Sequence, residues 1–205
     1  MRFEVVAILF DIDGTLVDST PAVVRTWEAF ADARSLDVEE ILRISHGRRT
    51  EDTLADLLPA SEVPDAAAQL EALELDDLGD VVALPAAHAV LSRLPADRWA
   101  AVTSGSQRLM PARPHAAGLP VPSVLIAAED VEHGKPDPQG YRAAAAALGV
   151  DPDRCLVVED APAGIEAGRA SGAAVLAVAT SHDRSALSEA EAVVEDMRAL
   201  AVSTP

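Results

Sequence analysis

Short runs of β-branched and aliphatic residues punctuate this chain, and helical periodicity fills the spaces between them. Glu4–Phe10 (EVVAILF) has no polar alternation, as expected of a strand buried on both faces. Comparable runs recur at Trp99–Thr103, Ser123–Ala127, Cys155–Val158 and Ala173–Val178. Helical stretches separate the later ones. Pro85 opens one reaching Leu94, Asp137-Pro138 caps and starts Gln139–Leu148 before Gly149 closes it, and Ala163–Ala170 is a third. Strands alternating with helices of this size predict βαβ units on a parallel sheet, a Rossmann-like α/β core.

Residues Thr20 to Leu84 follow another pattern, with helical spacing and no convincing strand. Thr20-Pro21 starts a helix with Val23, Trp27 and Phe30 on one face, where the two aromatics are expected to be core. Val38–Ile44 is a second helix and ends near Gly47. Thr50 caps a third carrying Leu54, Leu57 and Leu58, and Pro64–Leu78 makes a fourth. The pattern predicts a helical cap at 18–84 inserted into a core made of 1–17 and 85–205. The segment Gln107–Ala117 is read as a helix, although Pro111 and Pro114 each cost about 3 kcal/mol inside one unless they fall at its start. A break there would disturb the preceding loop.

The acidic excess narrows the choice of partner. Sixteen Lys and Arg against 34 Asp and Glu leave a formal charge of −18, which repels nucleic-acid backbones and anionic membranes. Cys155 is the single cysteine, so neither an internal disulfide nor a cysteine zinc cluster can form; it is expected to be a buried, small apolar residue. No apolar run approaches the roughly 18 residues of a spanning helix, and Met1–Phe10 lacks the features of a signal peptide. The expectation is a cytoplasmic protein, a monomer or weak homodimer, whose partner is a small metabolite.

Polar clusters follow four of the predicted strands. Asp11-Ile12-Asp13-Gly14-Thr15 comes after the first, Thr103-Ser104-Gly105 after the second, Gly134-Lys135-Pro136-Asp137-Pro138 after the third and Glu159-Asp160 after the fourth. Ligands of open parallel sheets bind beyond the carboxyl ends of the strands, so the fold would gather these clusters at one edge. Singly, each has an ordinary reading: an acidic turn, a strand-end serine, a solvated lysine, a helix-capping acid pair. Together they offer carboxylates for attack and for a hard cation, hydroxyl and amide donors for phosphate oxygens, and an ammonium to offset charge.

The set DIDGTLVDS, TSG, GKPDP and VEDAPAGIEAG resembles the four motifs of the haloacid dehalogenase superfamily, in the branch with a helical cap. SHGRRT, RWAAVTSG and VEDAPAGI look most like the sugar-phosphate and glycerol-phosphate phosphatases of that branch. The resemblance implies Asp11 as nucleophile, Asp13 as general acid and base, and Ser104 with the Gly105 amide, and less so Thr103, as phosphate ligands. Lys135 would be the counter-charge. Mg²⁺ would be held by Asp11, the Asp13 carbonyl and Asp160, with Glu159 acting through water. In the cap, Arg48 and Arg49 would face substrate or else pair with acids such as Glu51 or Asp52, and His46 is expected to pack or cap. Alternatives are a β-phosphoglucomutase-like isomerase and a phosphoglycolate-type phosphatase. The mutase loses support because Val23 and Thr50 stand where such enzymes resemble one another in carrying His and Arg. A dehalogenase would not be expected to carry Asp13, and a phosphonate-cleaving enzyme would need a cap lysine, yet Met1–Thr103 has none. Intact Asp11 and Asp13 argue against a non-catalytic binding module. Ala86, where the family often has Gly, is expected to change little.

Overall fold

The computed structural model describes residues 4–200; the outermost parts of the predicted core, 1–3 and 201–205, lie outside the described residues. Six parallel strands form the sheet: β1 (Ala7–Phe10), β4 (Trp99–Val102), β5 (Leu125–Ile126), β6 (Cys155–Glu159), β7 (Ala174–Val178) and β8 (Ala192–Val194). Their spatial order is β5-β4-β1-β6-β7-β8. Strand β1 is flanked by β4 and β6, with Ile8 opposite both Trp99 and Leu156. The chain runs outward from β1 through β4 to β5, then returns to the other side for β6. The site crevice therefore opens at the end of β1.

Alternation along β1 divides the core between the two faces of the sheet. Ile8 and Phe10 join Leu156, Val158 and Trp99 on one face, and Phe10 meets Trp99 edge-on at 6.2 Å. Ala7 and Leu9 join Cys155, Val157, Tyr141 and Ile165 on the other. All four β1 residues are buried, which is why the sequence shows no polar alternation there.

Helices α1 (Thr20–Arg34), α2 (Val38–Ser45), α3 (Thr50–Leu57) and α4 (Val63–Asp76) build the cap. Its own core contains Trp27, Phe30, Ile41, Leu54 and Leu70, with the two aromatics edge-to-face at 5.7 Å. The region is not strand-free. Val82–Ala83 (β3) pairs antiparallel with Val17–Asp18 (β2), so a two-residue ribbon joins the cap to the sheet; runs this short carry no period-2 signal. Strand β8 also escapes the sequence pattern, since only three residues pair.

Several predicted elements are shorter or shifted. Pairing begins at Ala7 rather than Glu4, β5 keeps only two residues, and the helix after Pro85 is α5 (Ala87–Leu91). Thr50 is the first helical residue and Arg49 the N-cap, without a side-chain cap bond. Pro138 takes the N-cap position of α7 (Gln139–Ala147), although Asp137 still accepts the Gln139 amide at 2.9 Å. The segment 107–117 contains only α6 (Ala112–Ala116), with turns before it. Pro111 is its N-cap and Pro114 lies in its first turn, where no intrahelical donor is needed. The prolines thus begin a short helix and leave the loop before it formed. Ala86 has φ of 68°, a left-handed conformation disfavoured for a residue with a Cβ, so it carries local strain that its sequence reading does not foresee. The last core helix is α8 (Pro162–Ser171).

Candidate active site

The carboxyl end of β1 delivers Asp11, and β6 ends in Glu159 followed by Asp160. Carboxylate atoms of these three buried residues lie within 4.8 Å of one another. Close approach depends on Gly14: its φ is +79°, and a Cβ there would lie 2.1 Å from Asp160 Oδ2. Asp160 accepts from the Thr15 hydroxyl at 3.3 Å and from the Ser181 hydroxyl.

Lys135, the only lysine in the chain, threads into this cluster. Its Nζ donates to Asp11 Oδ1 at 2.5 Å, Glu159 Oε1 at 2.6 Å and the Val102 carbonyl at 3.2 Å. Burial works against the ammonium, but Asp11 and Glu159 outweigh it and hold the Lys135 pKa well above its usual value. Glu159 is saturated by protein donors: Oε1 also accepts from Tyr141 Oη at 2.8 Å, and Oε2 from the amides of Asp160 and Ala161 at 3.0 and 3.2 Å. Its geometry suits anchoring Lys135 and the β6–α8 turn.

Three carboxylates with one ammonium leave a buried negative excess. Burial, opposed by Lys135 and aided by Glu159 and Asp160, raises the Asp11 pKa well above the usual carboxylate range. Burial and Glu159 push Asp160 to about 7. Hard oxygen donors in a pocket short of positive charge fit a divalent cation of the Mg²⁺ kind. Asp13 is not part of the carboxylate cluster. Its Oδ1 accepts from Ser19 Oγ at 2.6 Å, and its Oδ2 from Arg113 Nη1 at 2.5 Å.

Asp11, Asp13, Thr103, Ser104, Gly105 and Asp160 all line one cavity of about 520 Å³ between sheet edge and cap. Ser104 Oγ donates to the cap carbonyl of Gly47 at 2.8 Å, while the Gly105 amide donates to Thr103 Oγ1 at 3.1 Å. Val23 and Thr50 also face the cavity, as does Arg48, whose guanidinium pairs with Asp56 at 2.9 Å. Arg49 lies outside that cavity. It pairs with Asp52 at 2.9 Å and donates to the carbonyls of Val131 and Glu132, bridging cap to core. His46 follows α2 as its C-cap, packs edge-on against His182 and also lines the cavity. Arg113 and Tyr141 stand outside every motif and meet partners 100 and 18 positions away, so the sequence does not mark them as site residues; Ser19 closes the DIDGTLVDS motif, but nothing in the sequence shows that it donates to Asp13.

The family described as haloacid dehalogenase-like hydrolase matches residues 5–172. The chain is a haloacid dehalogenase-like hydrolase. Among relatives of this hydrolase, hexitol phosphatase A of Escherichia coli (strain K12) is 42% identical over 200 residues, covering 95% of this chain and 93% of the relative. Glycerol-1-phosphate phosphohydrolase 2 of Saccharomyces cerevisiae is 35% identical, covering 92% and 80% of the two chains. Among solved structures, a hydrolase from Pseudomonas syringae superposes with a TM-score of 0.84 at 26% identity, covering 93% and 94%. β-Phosphoglucomutase from Clostridium difficile reaches a TM-score of 0.85 at 19% identity, covering 96% and 93%, and so shares the fold with this hydrolase.

Proposed function

We propose that this hydrolase cleaves small sugar or polyol phosphates through an aspartyl-phosphate, with Mg²⁺ at the carboxylate cluster. The observation carrying the reading is the convergence of Asp11, Lys135 and Asp160 at the mouth of a cap-covered cavity that also holds Asp13 and Ser104. The relatives named for hexitol and glycerol phosphates support the substrate class.

An Asp11 carboxylate oxygen attacks phosphorus as the P–O bond to the alkoxide breaks, and protonated Asp13 gives that alkoxide its proton. Asp13, now ionised, takes a proton from water as the water oxygen attacks the phosphoryl group. The P–O bond to Asp11 breaks, phosphate leaves, Asp11 is again a carboxylate and Asp13 again carries its proton. Ser104 and the amide of Gly105 hold phosphoryl oxygens once released from Gly47 and Thr103. Lys135 offsets the charge of nucleophile and phosphate in a buried site, where it counts most. When bound, Mg²⁺ would supply charge neutralisation and orientation of the phosphoryl group, held by Asp11, Asp160 and the Asp13 carbonyl. Glu159 keeps Lys135 in place.

The cap, taken as residues 18–84, excludes water and selects substrate, with Arg48 the cap guanidinium that faces the cavity and Arg49 a tether to the core. Val23 and Thr50 in the cavity wall leave the positions of the mutase-type His and Arg without those groups, which favours hydrolysis over isomerisation. No helix of the described residues is long and apolar enough to cross a membrane, in keeping with a cytoplasmic enzyme of metabolites. Asp11→Asn is expected to fold and to release no phosphate from glycerol phosphate, hexose phosphates or an aryl phosphate. Retained turnover would remove Asp11 as nucleophile. Hexose 1-phosphate incubated with the wild type is expected to yield inorganic phosphate; hexose 6-phosphate would establish the mutase instead.

A further inference from the structure

Arg113 is a buried guanidinium, only 4% exposed, outside every motif. Its two terminal nitrogens are divided between domains: Nη1 donates to Asp13 Oδ2 in the core at 2.5 Å, and Nη2 to Glu74 Oε1 on cap helix α4 at 2.9 Å. One turn earlier on the same face of α4, Glu71 accepts from the Ser106 hydroxyl and, at 3.2 Å, from Arg108. The segment 106–113 directly follows the Ser104-Gly105 loop, so α4 seats on it through an acidic pair spaced i, i+3. The other Asp13 oxygen is taken by Ser19, the N-cap of the first cap helix. Both oxygens of the core's acid–base carboxylate are therefore held by groups that belong to the cap or answer to it.

A planar guanidinium is suited to this task, because its donors are fixed relative to one another and the charge persists at any working pH. Displacing α4 withdraws Glu74 and leaves Arg113 with a single partner, so Arg113 and Asp13 must re-seat together. We propose that Arg113 is a positioning residue that couples the seating of cap helix α4 to the placement of the Asp13 carboxylate over the leaving-group oxygen. The proposal rests on the hydrolase reading, in which Asp13 protonates the departing alkoxide.

Leaving groups of different basicity isolate this role. An alkyl phosphate needs a proton from Asp13; p-nitrophenyl phosphate, with a stable phenolate, does not. Leaving-group release would be measured in single turnovers with Mg²⁺-loaded enzyme in excess, for wild type, Glu74→Gln and Arg113→Lys. Lysine keeps the charge but cannot span both carboxylates. For both variants the expected result is a fall in the limiting rate of tenfold or more with glycerol 1-phosphate and less than threefold with p-nitrophenyl phosphate, at little change in the enzyme concentration that gives half that rate. Equal falls on the two substrates, or no fall with the alkyl phosphate, overturn the proposal. If Arg113→Lys does not fold, Glu74→Gln decides alone, since it alters a cap side chain and leaves the core intact. Failure of the hydrolase reading is distinct: the wild type would then release neither leaving group in a Mg²⁺-dependent manner.

Discussion

At the scale of single residues, the site is a problem in buried charge. Asp160 has a folded-state pKa of about 7 against an ordinary value of 3.8. Its ionised form is therefore disfavoured by folding, and the stability associated with its protonated form is lost as pH rises from about 4 through about 7. In EDTA at pH 8, Asp160→Asn is expected to raise the thermal midpoint, where about 1 kcal/mol corresponds to roughly 2–4 °C for a chain of this size. Mg²⁺ should raise the wild-type midpoint and raise that of the variant less. Thermal melts with and without the metal check both; a lower midpoint for the variant in EDTA contradicts the charge argument. Cys155 stands apart from this chemistry: burial pushes its thiol up to about 11, which suits an inert core residue.

At the scale of elements, β6 and α8 act as one unit through Glu159. A Cβ at Gly164 in the first turn of α8 would lie 1.7 Å from Glu159 Oε1. In an exposed helix, Gly→Ala typically stabilises by about 1 kcal/mol. Gly164→Ala is expected to do the reverse here, destabilising by about 1–3 kcal/mol as an overpacking change and lowering kcat by displacing the anchor of Lys135. Denaturant melts and steady-state kinetics together test it, and a stabilised, fully active variant would show that Glu159 can re-seat without cost. The prolines of 107–117 teach a related lesson. The composition suggested a damaged helix, yet Pro111 and Pro114 occupy the start of α6 and so direct Arg113 beneath the site.

For the whole molecule, the formal charge of −18 sets the long-range field in which an anionic substrate arrives. Repulsion falls as salt shortens the Debye length from about 30 Å at 0.01 M to about 8 Å at 0.15 M. With Mg²⁺ saturating, kcat/KM for a phosphate dianion is expected to rise with monovalent salt over that range while kcat changes little. A stopped-flow or initial-rate series at constant pH tests this, and a decline would point to a locally positive approach path. The helices α1–α4 and the sheet meet through Gly47 with Ser104, Arg49 with the 131–132 carbonyls and Glu74 with Arg113, so the cavity depends on both.

Uninterrupted apolar runs were enough to specify buried parallel strands, because a strand covered on both faces cannot tolerate polar positions. Four polar clusters at strand ends are enough to predict that Asp11, Ser104, Lys135 and Asp160 gather in one region, because parallel topology brings such ends to one edge. Two-residue pairings such as β2 with β3, and the three-residue β8, are too short to leave a periodic trace. Nor could local sequence reveal that Glu159 anchors Lys135, that Arg49 ties the cap to the core, or that Arg113 joins Asp13 to Glu74. Those functions are properties of distances between remote positions, and only the packing of the cap upon the sheet brings the partners within hydrogen-bonding reach.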